Sequence, residues 1–133
     1  MNTALHQDRR GFTLVEIMIV VAIIGMLASI GIPNYVRSRK RAQASRILND
    51  LRLIDGAIDI YAIEYQKSGS AVLSWAAVRT NLKPGTQLYS SGGADLLGNS
   101  FGTFAVDSTP LVPAATFVTL SDVAPADFWS PYK

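Results

Sequence analysis

A single carboxylate interrupts the most apolar stretch of the chain. Between Phe12 and Tyr35 lie 24 residues, and Glu16 carries their only charge. As a helix this run is roughly 36 Å long, enough to cross a hydrocarbon core of about 30 Å. A carboxylate within such a span costs on the order of 2.5–3.5 kcal/mol. Its natural chemistry is therefore to meet a cation in a low-dielectric setting. The composition leaves little room for catalysis. With no cysteine there is no disulfide, thiolate nucleophile or thiolate metal site, and the one histidine, His6, lies in the polar segment before the apolar run.

Around Glu16 the order of residues is specific. Arg9-Arg10-Gly11-Phe12-Thr13-Leu14-Val15-Glu16 leads into an apolar segment punctuated by Gly25 and Pro33. This arrangement, over about residues 9–35, resembles the type IV pilin and type II secretion pseudopilin family. The resemblance implies that a prepilin peptidase cuts between Gly11 and Phe12 and that Phe12 becomes N-methylated. Residues 1–11 would then be a cleaved leader that takes His6 with it, leaving no imidazole for general base work. The new amine on Phe12 is a cation suited to Glu16. Two partners are open to that carboxylate: the amine of a neighbouring subunit, which would fix register during assembly, or the amine of its own chain, four residues back on the same helix face.

The rest of the span bears on assembly too. Ala22, Gly25 and Ser29 share one face of small residues, which lets helices approach closely in lipid. Pro33 cannot donate to the carbonyl of Ser29, so the helix must bend or open there. In the family the stretch between such a glycine and proline can melt in the assembled filament, and Gly25 to Pro33 is the matching stretch. A secretory signal peptide fits less well, because the apolar run is too long and Ala28-Ser29 is followed by more hydrophobics. A plain signal anchor leaves Glu16 beside Gly11-Phe12 unexplained. The charge count conflicts with the resemblance over orientation. Arg37, Arg39, Lys40 and Arg41 follow the span, which by positive-inside counting would hold the C-terminus in the cytoplasm. The resemblance implies a periplasmic C-terminal head.

Removing Asp8, Arg9 and Arg10 with the leader leaves ten Lys/Arg against nine Asp/Glu. That near-neutral balance gives no case for nucleic acid as a principal partner. Residues 36–133 suffice for one small domain with a modest core. Residues 12–67 are expected to form one long helix. Its second half carries an apolar stripe at Ile47, Leu51, Ile54, Ile58, Tyr61 and Tyr65, opposite Arg46, Asp50, Arg52, Asp55, Asp59 and Lys67. Gly56 interrupts that half at a cost of about 1 kcal/mol, with a close packing contact as the expected reason. Ser68-Gly69-Ser70 is the expected helix end.

A short helix is expected from Ser74 to Leu82, docking through Trp75, Val78 and Leu82. Phe101–Val106 alternates as a strand before a turn at Asp107–Pro110. Thr116–Leu120 suits a strand by β-branching or a helix started by Pro113. The aromatics Phe128, Trp129 and Tyr132 should fold back over the small sheet. Asp95-Leu96-Leu97-Gly98-Asn99-Ser100-Phe101 resembles the loop that major pseudopilins carry before their sheet; physically it suits a tight turn with Asp95 capping local amides. Asp107, Asp122 and Asp127 stand singly, so no metal site is assigned and calcium has little support. No cofactor is expected.

The sequence thus predicts an α+β, pilin-like protein: a long N-terminal helix, transmembrane over 12–35 and amphipathic beyond, packed on a small head with few antiparallel strands. The function implied is structural, not enzymatic: a pseudopilus subunit supporting type II secretion, anchored once in the inner membrane. Its implied partners are copies of itself, other pseudopilins, the prepilin peptidase, the inner-membrane assembly platform and the membrane. The absence of cysteine tilts away from type IV pilins, which often close a C-terminal loop with a disulfide. A type IV pilin for motility, adhesion or DNA uptake is the alternative. A monomeric membrane-anchored binding domain is the alternative from another class.

Overall fold

The computed structural model describes residues 11–133; the segment of the expected leader before Gly11, with His6, Arg9 and Arg10, lies outside the described residues. The chain divides after Val36 into an N-terminal unit and a unit of Arg37–Lys133. One helix, α1 (Leu14–Glu64), runs through both. In the N-terminal unit no described residue is buried, and Ile17, Met18, Ile24, Leu27 and Ile30 are all more than half exposed. It is long and apolar enough to cross a membrane, with a mean hydropathy of 2.5 over its 18-residue window.

In the second unit, α1 supplies the floor of the core. Ile47, Leu51, Ile54 and Ile58 recur at steps of four and three and are 0–2% exposed, so the expected stripe is real through Ile58. It fades beyond: Tyr61 is half-buried and Tyr65 exposed, its ring stacked on Tyr61 at 4.5 Å. The helix also stops sooner than Ser68-Gly69-Ser70. Gln66 adopts φ +49, Lys67 N donates to Ala62 O (2.9 Å) and Gln66 N to Ile63 O (3.4 Å). That pair of bonds is a Schellman cap built on a non-glycine residue.

After the cap come β1 (Val72–Leu73), α2 (Trp75–Arg79), α3 (Gln87–Ser90), β2 (Phe104–Ala105), α4 (Ala114–Leu120) and a 3-10 turn at Ala126–Trp129. The sheet is two antiparallel strands, with Val72 opposite Ala105 and Leu73 opposite Phe104. The expected strand from Phe101 to Val106 shrinks to two residues because Gly102 takes φ +80, which removes Phe101 from the ladder. Phe101 N instead donates to Gly93 O at 2.9 Å. Helix wins over strand at residues 114–120, where Pro113 presets the entry and its carbonyl accepts from Phe117 N at 2.9 Å. The short helix α3, capped by Thr86 Oγ1 accepting from Tyr89 N, was not expected from the sequence.

Trp75, Val78 and Leu82 do share the inward face of the α2 region. Trp75 lies over Gly93, whose φ is +88; a Cβ at Gly93 would come within 3.1 Å of the indole. The C-terminal aromatics also turn inward, but the tyrosine reaches α1 rather than the sheet. Trp129 is fully buried with Nε1 donating to Ala124 O (3.1 Å), and the Tyr132 hydroxyl donates to Asp55 Oδ2 (3.2 Å). Burial, with Asp55 adding to it, raises the Tyr132 phenol above its ordinary value.

Gly56 corrects its expectation: a Cβ there would meet nothing within 4 Å, so no intrachain contact requires glycine. Gly56→Ala should therefore stabilise the subunit by about 1 kcal/mol, read as a raised melting temperature of the full chain in micelles. A lowered one would show that the residue is held in a contact.

Candidate assembly site at the N-terminus

The apolar unit is organised at its start by two side chains. Gly11 and Phe12 precede the helix and are exposed, Phe12 by 82%. Thr13 sits just before α1 and Glu16 in its first turn. Thr13 Oγ1 accepts from Glu16 N at 3.2 Å, while Glu16 Oε2 accepts from Thr13 N at 3.2 Å and faces Thr13 Oγ1 at 3.4 Å. This reciprocal arrangement is a capping box: each residue satisfies an amide that the first turn leaves without a partner. The carboxylate also lies at the positive end of the helix dipole. Thr13-x-x-Glu16 before an apolar run is the sequence signature of that box, and Thr13 is the residue that reading Glu16 only as a membrane charge overlooks. The box holds the Glu16 carboxylate against the amide of Thr13, the residue after Phe12.

Ala22, Gly25 and Ser29 lie on α1 at spacings of three and four, exposed together on one face, and a Cβ at Gly25 would meet nothing within 4 Å. Ser29 Oγ donates to Met26 O at 2.7 Å. Pro33 is inside α1, and the helix continues unbroken through residues 25–33 in the single chain. Of the basic residues after the span, Lys40 is committed to the head, with Nζ 2.9 Å from Asp122 Oδ2, whereas Arg37, Arg39 and Arg41 are exposed. The Lys40 hydrogen bond and charge hold the Asp122 carboxyl below its ordinary value.

In the head, the Asp95–Phe101 loop is more than a turn. Asp95 is 7% exposed; its Oδ1 accepts from Leu97 N (2.9 Å) and Asn99 N (2.8 Å), and its Oδ2 accepts from the hydroxyl of Thr116 on α4. Asn99 Nδ2 in turn donates to Thr116 Oγ1 at 2.9 Å, and Gly98 holds φ +86 at the turn. The capping expected of Asp95 is thus present, and the fully buried Thr116 ties the loop to α4. Nearby, burial raises the Asp50 carboxyl above its ordinary value, opposed by Arg46 and reinforced by Asp95. No group of three or more His, Cys, Asp or Glu suited to a metal ion occurs among the described residues.

The prokaryotic N-terminal methylation motif matches residues 6–32. The chain has a prepilin-type N-terminus. Similarity extends beyond that N-terminus to two kinds of curated protein. A type II secretion system core protein G of Klebsiella pneumoniae is 41% identical over 58 residues, covering 44% of this chain and 41% of that protein. A core protein G of Pectobacterium carotovorum subsp. carotovorum is 34% identical over 79 residues, 59% of this chain and 49% of its own length. A type IV major fimbrial protein of Dichelobacter nodosus is 31% identical over 119 residues, 90% of this chain and 65% of that protein. The chain spans less than two thirds of the length of each of these relatives. None of their names denotes an enzyme. No solved structure matches. This N-terminus, the long apolar helix and the small two-stranded head together make a pilin-like α+β arrangement.

Proposed function

We propose that this chain is a structural subunit of a pseudopilus that supports type II secretion. It is processed by a prepilin peptidase between Gly11 and Phe12, N-methylated on Phe12, and anchored once in the inner membrane over 12–35 with residues 36–133 in the periplasm. The observation that carries polymerisation is the apolar first half of α1, none of whose residues is buried, with Glu16 at its head. In a filament the small face of Ala22, Gly25 and Ser29 lets neighbouring helices approach, and Pro33 weakens the helix where an assembled subunit can open. Glu16 meets the Phe12 amine of an adjacent copy. Other pseudopilins and an inner-membrane platform are the remaining partners. The Asp95–Phe101 loop and the lack of cysteine favour the secretion branch. The fimbrial relative, matched over 90% of this chain, favours the second reading, a type IV pilin.

Gly11→Val should block maturation, because the peptidase must pass close to backbone that has no side chain. Co-expression with a prepilin peptidase should give a cleaved wild-type chain and an uncleaved variant on an immunoblot; cleavage of both would contradict the processing step. Deleting the gene then separates the two readings. Loss of exported protein with pili intact supports the pseudopilus, and loss of surface pili with export intact supports the pilin.

A further inference from the structure

Processing and assembly leave the basic cluster at the end of the apolar run without a role. Lys40 is spoken for by Asp122, and its charge neutralises an acid of the head beside the cluster. Arg37, Arg39 and Arg41 are exposed, and none makes an ion pair or side-chain hydrogen bond among the described residues. At about 100° per residue, Arg37 and Arg41 lie some 40° apart on α1 and Arg39 lies nearly opposite them. The guanidinium groups therefore stand on two opposite sides of the helix instead of lining one face. A single protein partner would be met by one face; a layer surrounding the helix is met from both sides. These arginines follow directly on residues 17–36, which carry no charge. Guanidinium is planar and binds phosphate through paired N–H donors.

We propose that Arg37, Arg39 and Arg41 form a collar that binds the headgroup phosphates of anionic phospholipid where the helix leaves the bilayer. This rests on the membrane-anchored reading above. The collar gives the cations on the exported side a function, although by positive-inside counting they oppose that orientation. The Lys40–Asp122 pair removes the nearby acid that would repel an anionic surface. Each arginine should favour anionic over zwitterionic lipid by about fivefold at low salt, an effect that screening reduces as salt rises.

The test places the full chain in nanodiscs of mixed phosphatidylcholine and phosphatidylglycerol and counts retained lipids by native mass spectrometry. The wild type should retain phosphatidylglycerol preferentially. The combined variant Arg37→Gln, Arg39→Gln and Arg41→Gln should lose that preference by about tenfold or more, with far-UV circular dichroism unchanged. Asp122→Asn, which frees Lys40, should keep or raise it. A triple variant with wild-type lipid preference overturns the collar. So does a triple variant that keeps its lipids and loses only self-association, since the arginines would then serve acids of a neighbouring copy. A chain that fails to enter nanodiscs at all refutes the anchor itself, and the collar with it.

Discussion

Glu16→Leu should give a protein that is cleaved and membrane-embedded at normal or higher levels but does not polymerise. Insertion improves or holds because a carboxylate costing on the order of 2.5–3.5 kcal/mol within the span is gone. Assembly fails because the Phe12 amine of each incoming subunit is left without its counter-charge. Breaking one partner of a buried ion pair costs about 3–5 kcal/mol, a hundredfold or more in subunit addition. The capping box supplies a second variant that separates charge from local structure. Glu16→Gln keeps an acceptor for Thr13 N and preserves the box, so the helix start should survive. It should still fail to assemble. Filaments sheared from cells with matched membrane levels give the readout. Wild-type polymer from Glu16→Leu would remove the carboxylate from the mechanism, and polymer from Glu16→Gln alone would make the cap, not the charge, its contribution.

The second large effect belongs to the head. Asp95→Ala strips the acceptor from two loop amides and from the buried hydroxyl of Thr116. Hydrogen bonds to a charged group contribute about 1.5–3 kcal/mol each, and their donors lie at least partly buried, so even at the low end the three together give a loss of about 4–5 kcal/mol. For a head of this size that corresponds to a fall of roughly 16–25 °C in melting temperature. Thr116→Val removes one of these three bonds and the acceptor of Asn99 Nδ2, and should cost about 2–3 kcal/mol. Near-UV circular dichroism of the full chain in micelles, reporting on Trp75 and Trp129, measures both. An Asp95→Ala protein melting within a degree or two of wild type would show that the loop is held by its turn geometry alone.

What the sequence reveals depends on how local each cause is. The long helix is legible because a charge-poor run and a four-three stripe are properties of neighbouring residues. The Asp95 turn is legible for the same reason, but its bond to Thr116 spans 21 positions and leaves no local trace. The salt bridge from Lys40 to Asp122 spans 82 and is equally invisible. Strands of two residues carry no periodicity, so β1 could not be found, and Gly102 cut β2 short where alternation pointed to a longer strand. Glycine's ease at positive φ points to a helix end at residue 69, whereas the chain caps at Gln66, where two cap bonds offset the left-handed strain of a residue with a Cβ. At the assembly site, the small face and Glu16 followed from residue type. Thr13 was equally available as the partner in a capping box.

The most direct measurement is the N-terminal mass of subunits recovered from sheared filaments. Fragment mass spectrometry should show every assembled chain beginning at N-methylated Phe12, with residues 1–11 absent. Filament-borne chains that retain the leader, or begin at another residue, would contradict the account at its root.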